Sequence, residues 1–246
     1  MSQSLRILRA DTGAELLQSF RAPEFFIPTL ALPSAFYLLF GIAITRGGSE
    51  VARYLLATYG VFAVMGPALF GFGANVSSER EKGWLMLTQA APTSGLLYVT
   101  SKLLTTLIFA AIALLPIYAL AGFVAGVELE RGQWVLLFAT HLLAVAPFSF
   151  IGLTIGFSFG SGGAIAVCNI VFLGLAVLGG LWFPISIFPG VMQNIAQALP
   201  SFHIAEVGLW VVGARDDGAP LAHLLIITIM TAVFAGMALM VWSRKR

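Results

Sequence analysis

Ser77-Ser78-Glu79-Arg80-Glu81-Lys82-Gly83-Trp84 sets four consecutive charges between two long apolar runs, 54–76 and 103–126. Each run supplies the roughly 20 residues that a helix needs to cross a hydrocarbon core of about 30 Å. The charged stretch therefore lies at a membrane surface, where a soluble partner could grip it. A Pro92-Thr93-Ser94 break follows, with Thr93 or Ser94 placed to cap a new helix.

Composition extends this reading to the whole chain. Its 246 residues are 59% hydrophobic and only 10% charged, with a mean hydropathy of +0.95. So little charge cannot cover the surface of a soluble domain, and the charges are bunched into short gaps that read as loops. Apolar runs at 25–45, 54–76, 103–126, 133–158, 163–182 and 221–242 predict six transmembrane helices in an all-α integral membrane protein. An even number puts both termini on one side. Arg6, Arg9, Arg21, Arg80, Lys82, Lys102, Arg244, Lys245 and Arg246 share that side, against Arg46, Arg53, Arg131 and Arg215, so positive charge places both termini in the cytoplasm. A net charge of +2 is too small and too scattered for nucleic acid. Cys168 is the single cysteine, which excludes an intrachain disulfide.

Three segments are not crossings. Residues 1–24 carry Asp11, Glu15 and Glu24 ahead of the first apolar run, unlike a cleaved leader. On a helical wheel Ser4, Asp11, Glu15 and Gln18 form one stripe, broadly opposite Leu5, Ile7, Leu16, Leu17 and Phe20, which suits a helix in the headgroup region with Arg6 and Arg9 snorkelling. Residues 77–101 form the cytoplasmic segment. Between the fifth and sixth crossings, 183–220 is apolar but broken at Pro184, Pro189 and Pro200, which forbids one continuous helix and predicts short re-entrant helices on the outer side. No internal repeat is visible, and the chain is read as one domain, 1–246.

The chemistry that is missing narrows the function. Lys82, Lys102 and Lys245 are the only lysines, and none follows a glycine-rich phosphate loop, so the chain binds no ATP by that route. His141, His203 and His223 are far apart in sequence and lack partners at metal-ligand spacing, so no metal site is expected. His141, inside the fourth crossing, is expected to be hydrogen-bonded there. Gly156-Phe157-Ser158 has the glycine-x-serine form of an intramembrane serine protease, but neither outer histidine lies at the depth of Ser158. Gly152, Gly156 and Gly160, four apart, make a flat stripe for close packing of another helix, in this chain or in a second copy.

Glu79-Arg80-Glu81-Lys82-Gly83, followed by Leu87, Pro92 and Lys102, resembles the glutamate-arginine-glutamate-x-glycine signature of the type-2 ABC exporter permeases. Gly179-Gly180-Leu181-Trp182-Phe183-Pro184, then Pro189 and Leu199-Pro200, is similar to that family's segment between its fifth and sixth helices. Trp84, where a threonine is common, and Ser101, where a glycine often precedes the lysine, depart from the pattern. The resemblance implies a permease subunit of the bacterial inner membrane that pairs with a second permease copy and with cytoplasmic ABC ATPase subunits. It implies no cofactor on this chain, with ATP and Mg held by the ATPase. It makes 78–92 a coupling helix in which Glu79, Arg80, Glu81, Lys82, Gly83, Trp84, Leu85 and Pro92 meet the ATPase: the two glutamates face basic groups, and Trp84 and Leu85 fill a cleft. Gly179, Gly180, Phe183, Pro184, Pro189 and Pro200 would form the outer gate.

An amphipathic or hydrophobic cargo, such as a drug, antibiotic, lipid or glycolipid, suits a path lined by Phe, Leu and Gly with few fixed charges. A non-transporting membrane component of a sensing or assembly complex is the alternative, with the protease behind it. An importer is disfavoured because no glutamate-alanine-alanine loop is present.

Overall fold

The computed structural model describes residues 3–21, 23–44, 49–84, 95–215 and 219–243, and helix is the only regular structure among them. In chain order these are α1 (Gln3–Phe20), α2 (Pro23–Phe36, continuing as a π-helical stretch Tyr37–Ala43), α3 (Ser49–Glu81) and α4 (Gly95–Ala119, running into π-helical Leu120–Val124). Then come α5 (Arg131–Leu143), α6 (Val145–Ser158), α7 (Ser161–Leu178), a 3-10 turn (Ile185–Ile187), α8 (Gly190–Ala196), α9 (Pro200–Val211) and α10 (Pro220–Ser243).

Five stretches, Ser49–Glu81, Leu97–Val124, Arg131–Ser158, Ser161–Leu178 and Pro220–Ser243, are long and apolar enough to cross a membrane. The chain is therefore read as a multi-pass integral membrane protein. Within 25–45, expected as a sixth full crossing, the apolar helix Thr29–Ala43 is shorter than the others. The fourth crossing is two helices. Pro147 has no N–H to give the Leu143 carbonyl, and the helix breaks at Ala144 and restarts with the proline in its first turn.

The core is built around α3. Its sequence is apolar on every side from Leu55 to Leu69, and every residue of that stretch is buried, as in a helix enclosed by others. Helices α4, α6, α7 and α9 pack around it. The closest neighbour is α6: a Cβ on Gly152 would sit 2.6 Å from the Leu69 carbonyl oxygen, and one on Gly156 would sit 2.6 Å from that of Phe72. Only glycine lets the two backbones touch there, so the stripe's partner is a helix of the same chain. Trp182 covers one side of this core, its ring 5.5 Å from both Phe36 and Phe62. By contrast α10 is peripheral, with Ile227 and Ala238 its buried residues.

The prolines place the breaks after α7. Pro184 precedes the 3-10 turn, Pro189 precedes α8, and Pro200 is the first residue of α9, where its missing N–H costs no hydrogen bond.

Candidate functional site

The charged stretch begins inside α3. At 33 residues and 1.5 Å per residue the helix is about 50 Å long, well beyond a hydrocarbon core. Glu79, Arg80 and Glu81 form its last turn, where the sequence predicted the start of a loop. Gly83 ends it with a φ of +74°, a left-handed conformation that favours glycine. Among the described residues nothing lies within 4 Å of where its Cβ would be.

Successive helical residues point about 100° apart, and these three side chains reach three different places. Glu79 turns inward. Its Oε1 lies 2.7 Å from Lys102 Nζ and its Oε2 accepts the Tyr98 hydroxyl at 2.6 Å, both from α4. Lys102 is also 2.9 Å from Glu15 Oε1 of α1, so one buried ammonium joins three helices. Burial pushes the Glu15 carboxyl above its ordinary 4.5, although Lys102 pulls it down. Arg80 donates to the carbonyls of Phe157 and, at 2.7 Å, Phe159 at the end of α6. Glu81 Oε1 accepts the Ser161 N–H at 2.9 Å, at the start of α7. A cation thus meets a helix C-terminus and an anion the next helix N-terminus, as the backbone dipoles favour. Gly160 leaves room for it, since a Cβ there would be 2.6 Å from the Glu81 oxygen.

This geometry differs from the expectation that Glu79 faces an ATPase. Its carboxylate is already engaged inside the chain, because α3 runs on far enough to bring it beside Lys102. Glu81 keeps an exposed side, as does Lys82, and Trp84 is 59% exposed. Leu85 and Pro92 lie outside the described residues. The polar side of α1 also faces protein: Glu15, Gln18 and Ser19 line a cavity against α3 and α4, while Leu17 and Phe20 are outward.

At the other end of α7 the contacts are uncharged. The Ser201 hydroxyl donates to the Leu175 carbonyl at 2.9 Å, and a Cβ on Gly179 would lie 2.1 Å from that hydroxyl. Gly180 turns the chain at φ +73° and Phe183 packs edge-on to Phe40 at 6.4 Å. His203 of α9 and His223 of α10, 20 residues apart, meet with Nδ1 atoms 2.7 Å apart. A carbonyl can only accept, so His203 Nε2 donates to Gln197 at 2.8 Å and the neutral ring accepts from His223. Burial, opposed by that bond and aided by His223, lowers the His203 pKa from 6.5. His141 is fully buried, with Nε2 on the Ala57 carbonyl at 2.9 Å and Nδ1 3.0 Å from the Tyr118 hydroxyl. Ser158 donates to the Thr154 carbonyl, as an ordinary helical serine does. Among the described residues no three metal-ligating side chains cluster.

The described residues thus form a helical membrane bundle with a charged clasp where α3 ends. Residues 42–240 match the model of the ABC-2 family transporter proteins. The chain belongs to that family, whose membership implies association with an ABC ATPase. Over 234 residues, 94% of each chain, it is also 25% identical to YvfS of Bacillus subtilis (strain 168), a protein named as a transport permease.

Proposed function

We propose that the chain, as one membrane domain, is the permease subunit of an ATP-driven exporter in the bacterial inner membrane, moving an amphipathic or hydrophobic cargo out of the cytoplasm. Six crossings, counting α2 with its π-helical extension, put both termini in the cytoplasm, and the short helices between Pro184 and Val211 dip into the outer leaflet as a gate. A second permease copy and two ATPase subunits, which hold the ATP and Mg, complete the transporter.

The observation that carries this reading is the clasp at the end of α3. A segment docked in an ATPase cleft must pass its movement to the membrane helices. Glu79, Arg80 and Glu81 fix the root of that segment to α1, α4, α6 and α7 through charge-assisted hydrogen bonds, which are about twice as strong as neutral ones. Docking then falls to the exposed side of Glu81, to Lys82, to Trp84 as an aromatic anchor, and to the residues up to Pro92.

Gly83→Val tests the reading. Valine at φ +74° is strained and redirects the chain beyond residue 83, while the described residues leave open space around the site, which spares the packing of the bundle. Expression and thermal stability should stay near wild type, and copurification of a coexpressed ABC ATPase partner should fall at least tenfold. A Gly83→Val protein that retains its ATPase and transports at the wild-type rate would refute the coupling role.

A further inference from the structure

We infer that the cavity between α1, α3 and α4 is a binding site for a primary ammonium group carried on an apolar chain. Glu15 and Glu79 share one cation, Lys102, so two carboxylates against one ammonium leave a single negative charge. Among the described residues, both ion pairs of this cluster end on Lys102. A second observation comes from α4. Thr106 is 5% exposed and lines the cavity, and its hydroxyl has no hydrogen-bond partner among the described residues. Buried hydroxyls are normally bonded, and this one opens onto space that can hold a partner.

The space fits the ligand. Its volume of about 90 Å³ corresponds to roughly six water-sized positions, enough for an ammonium head and its first methylenes. Its lining brings the carboxylates, Thr106 and Asn75 together with Phe109, whose ring packs on Phe20 at 5.1 Å. A primary ammonium brings three N–H donors and no acceptor. That matches a lining of carboxylate, hydroxyl and amide oxygens, while the alkyl chain lies against Phe109. An anion would meet two carboxylates, and a neutral tail would bury them with one charge still uncompensated. Taken as cargo, such an amine rests on the exporter reading above; the site itself does not.

The test uses the full chain purified in neutral detergent, without any ATPase, so its outcome is independent of coupling. Octylammonium is titrated by calorimetry beside octanol, which has the same tail without the charge, and beside potassium ion. Expected is saturable one-to-one binding of octylammonium at least tenfold tighter than octanol, with potassium unable to displace it. Glu15→Gln should weaken it at least about tenfold, as expected for a hydrogen bond to a charged group. Thr106→Val keeps the side-chain shape and the ion network, and should weaken it about fivefold. Equal binding of octanol, or octylammonium affinity untouched by both substitutions, would overturn the site. Displacement by potassium at similar affinity would overturn the organic ligand in favour of an inorganic cation.

Discussion

The two ends of α7 are held by opposite chemistry. Where it begins, Glu81 binds its first N–H while Arg80 and Glu79, from the same turn of α3, bind the end of α6 and Lys102. Where it ends, Ser201 closes on the Leu175 carbonyl, and His203, Gln197 and His223 link neutral groups. The first arrangement depends on charge, since each charged group is bound to an opposite charge or to a helix terminus. The second depends on fit, because neutral bonds are weaker and the spaces beside glycines are tight. One bundle therefore offers two ways to be perturbed, by charge at one end and by volume toward the other.

The largest effect should come from Lys102→Met. It strands the Glu15 and Glu79 carboxylates against each other, and removing one partner of a buried ionic group typically costs about 3–5 kcal/mol. Thermal unfolding of the purified chain in detergent measures it, and a loss under about 1 kcal/mol would mean that the clasp does not depend on charge balance. In the apolar middle of α3, Gly60→Ala sets a Cβ 2.0 Å from the His141 ring, whose two nitrogens are both bonded. Overpacking of this kind costs about 1–3 kcal/mol. The cost should shrink when His141 is alanine, and an undiminished penalty in that double variant would show that the ring is not the obstacle.

The smallest effect is a difference in pH response. The Glu15 pKa is raised above 4.5 by burial, so the folded chain binds its proton more readily than the unfolded one. Its contribution is full below 4.5 and is lost as pH rises through the raised value. The His203 pKa is lowered below 6.5, so its contribution is present above 6.5 and is lost as pH falls through the lowered value. Acidification should thus tighten the charged end and loosen the link between α9 and α10. Amide exchange in 75–81 and 200–211 between about pH 5 and 7 follows each end separately, with Glu15→Gln and His203→Asn each abolishing its own trend. Parallel trends at both ends would break the comparison.

Much of this architecture is legible in the amino-acid sequence. The apolar runs locate the long helices because length in a bilayer is set by hydrocarbon thickness, and Pro184, Pro189 and Pro200 locate the breaks because proline lacks an N–H. Gly152 and Gly156 announce a close contact without naming its partner. The clasp is not legible. Glu15, Glu79 and Lys102 are separated by 64 and 23 positions, and nothing local signals that α3 stays helical through Glu81 to bring them together. Lys102 counts as a surface charge in the topology argument, yet it is buried. The meeting of His203 and His223 is hidden by their distance in sequence, because it is made by two helices that fold back beside each other.

Pro67, buried within α3, leaves the Ala63 carbonyl without its helical N–H partner. It divides the helix into unequal arms of about 27 and 21 Å at 1.5 Å per residue. A bend of about 10° at such a joint would swing the Glu81 tip sideways by about 4 Å, further than the 2.7–3.2 Å span of a hydrogen bond. The tip therefore cannot flex alone while Lys102, Phe159 and Ser161 stay where they are. Mechanically α3 is a lever welded at one end to its neighbours, and any stroke applied beyond Gly83 must either carry α1, α4, α6 and α7 as one block or break the weld.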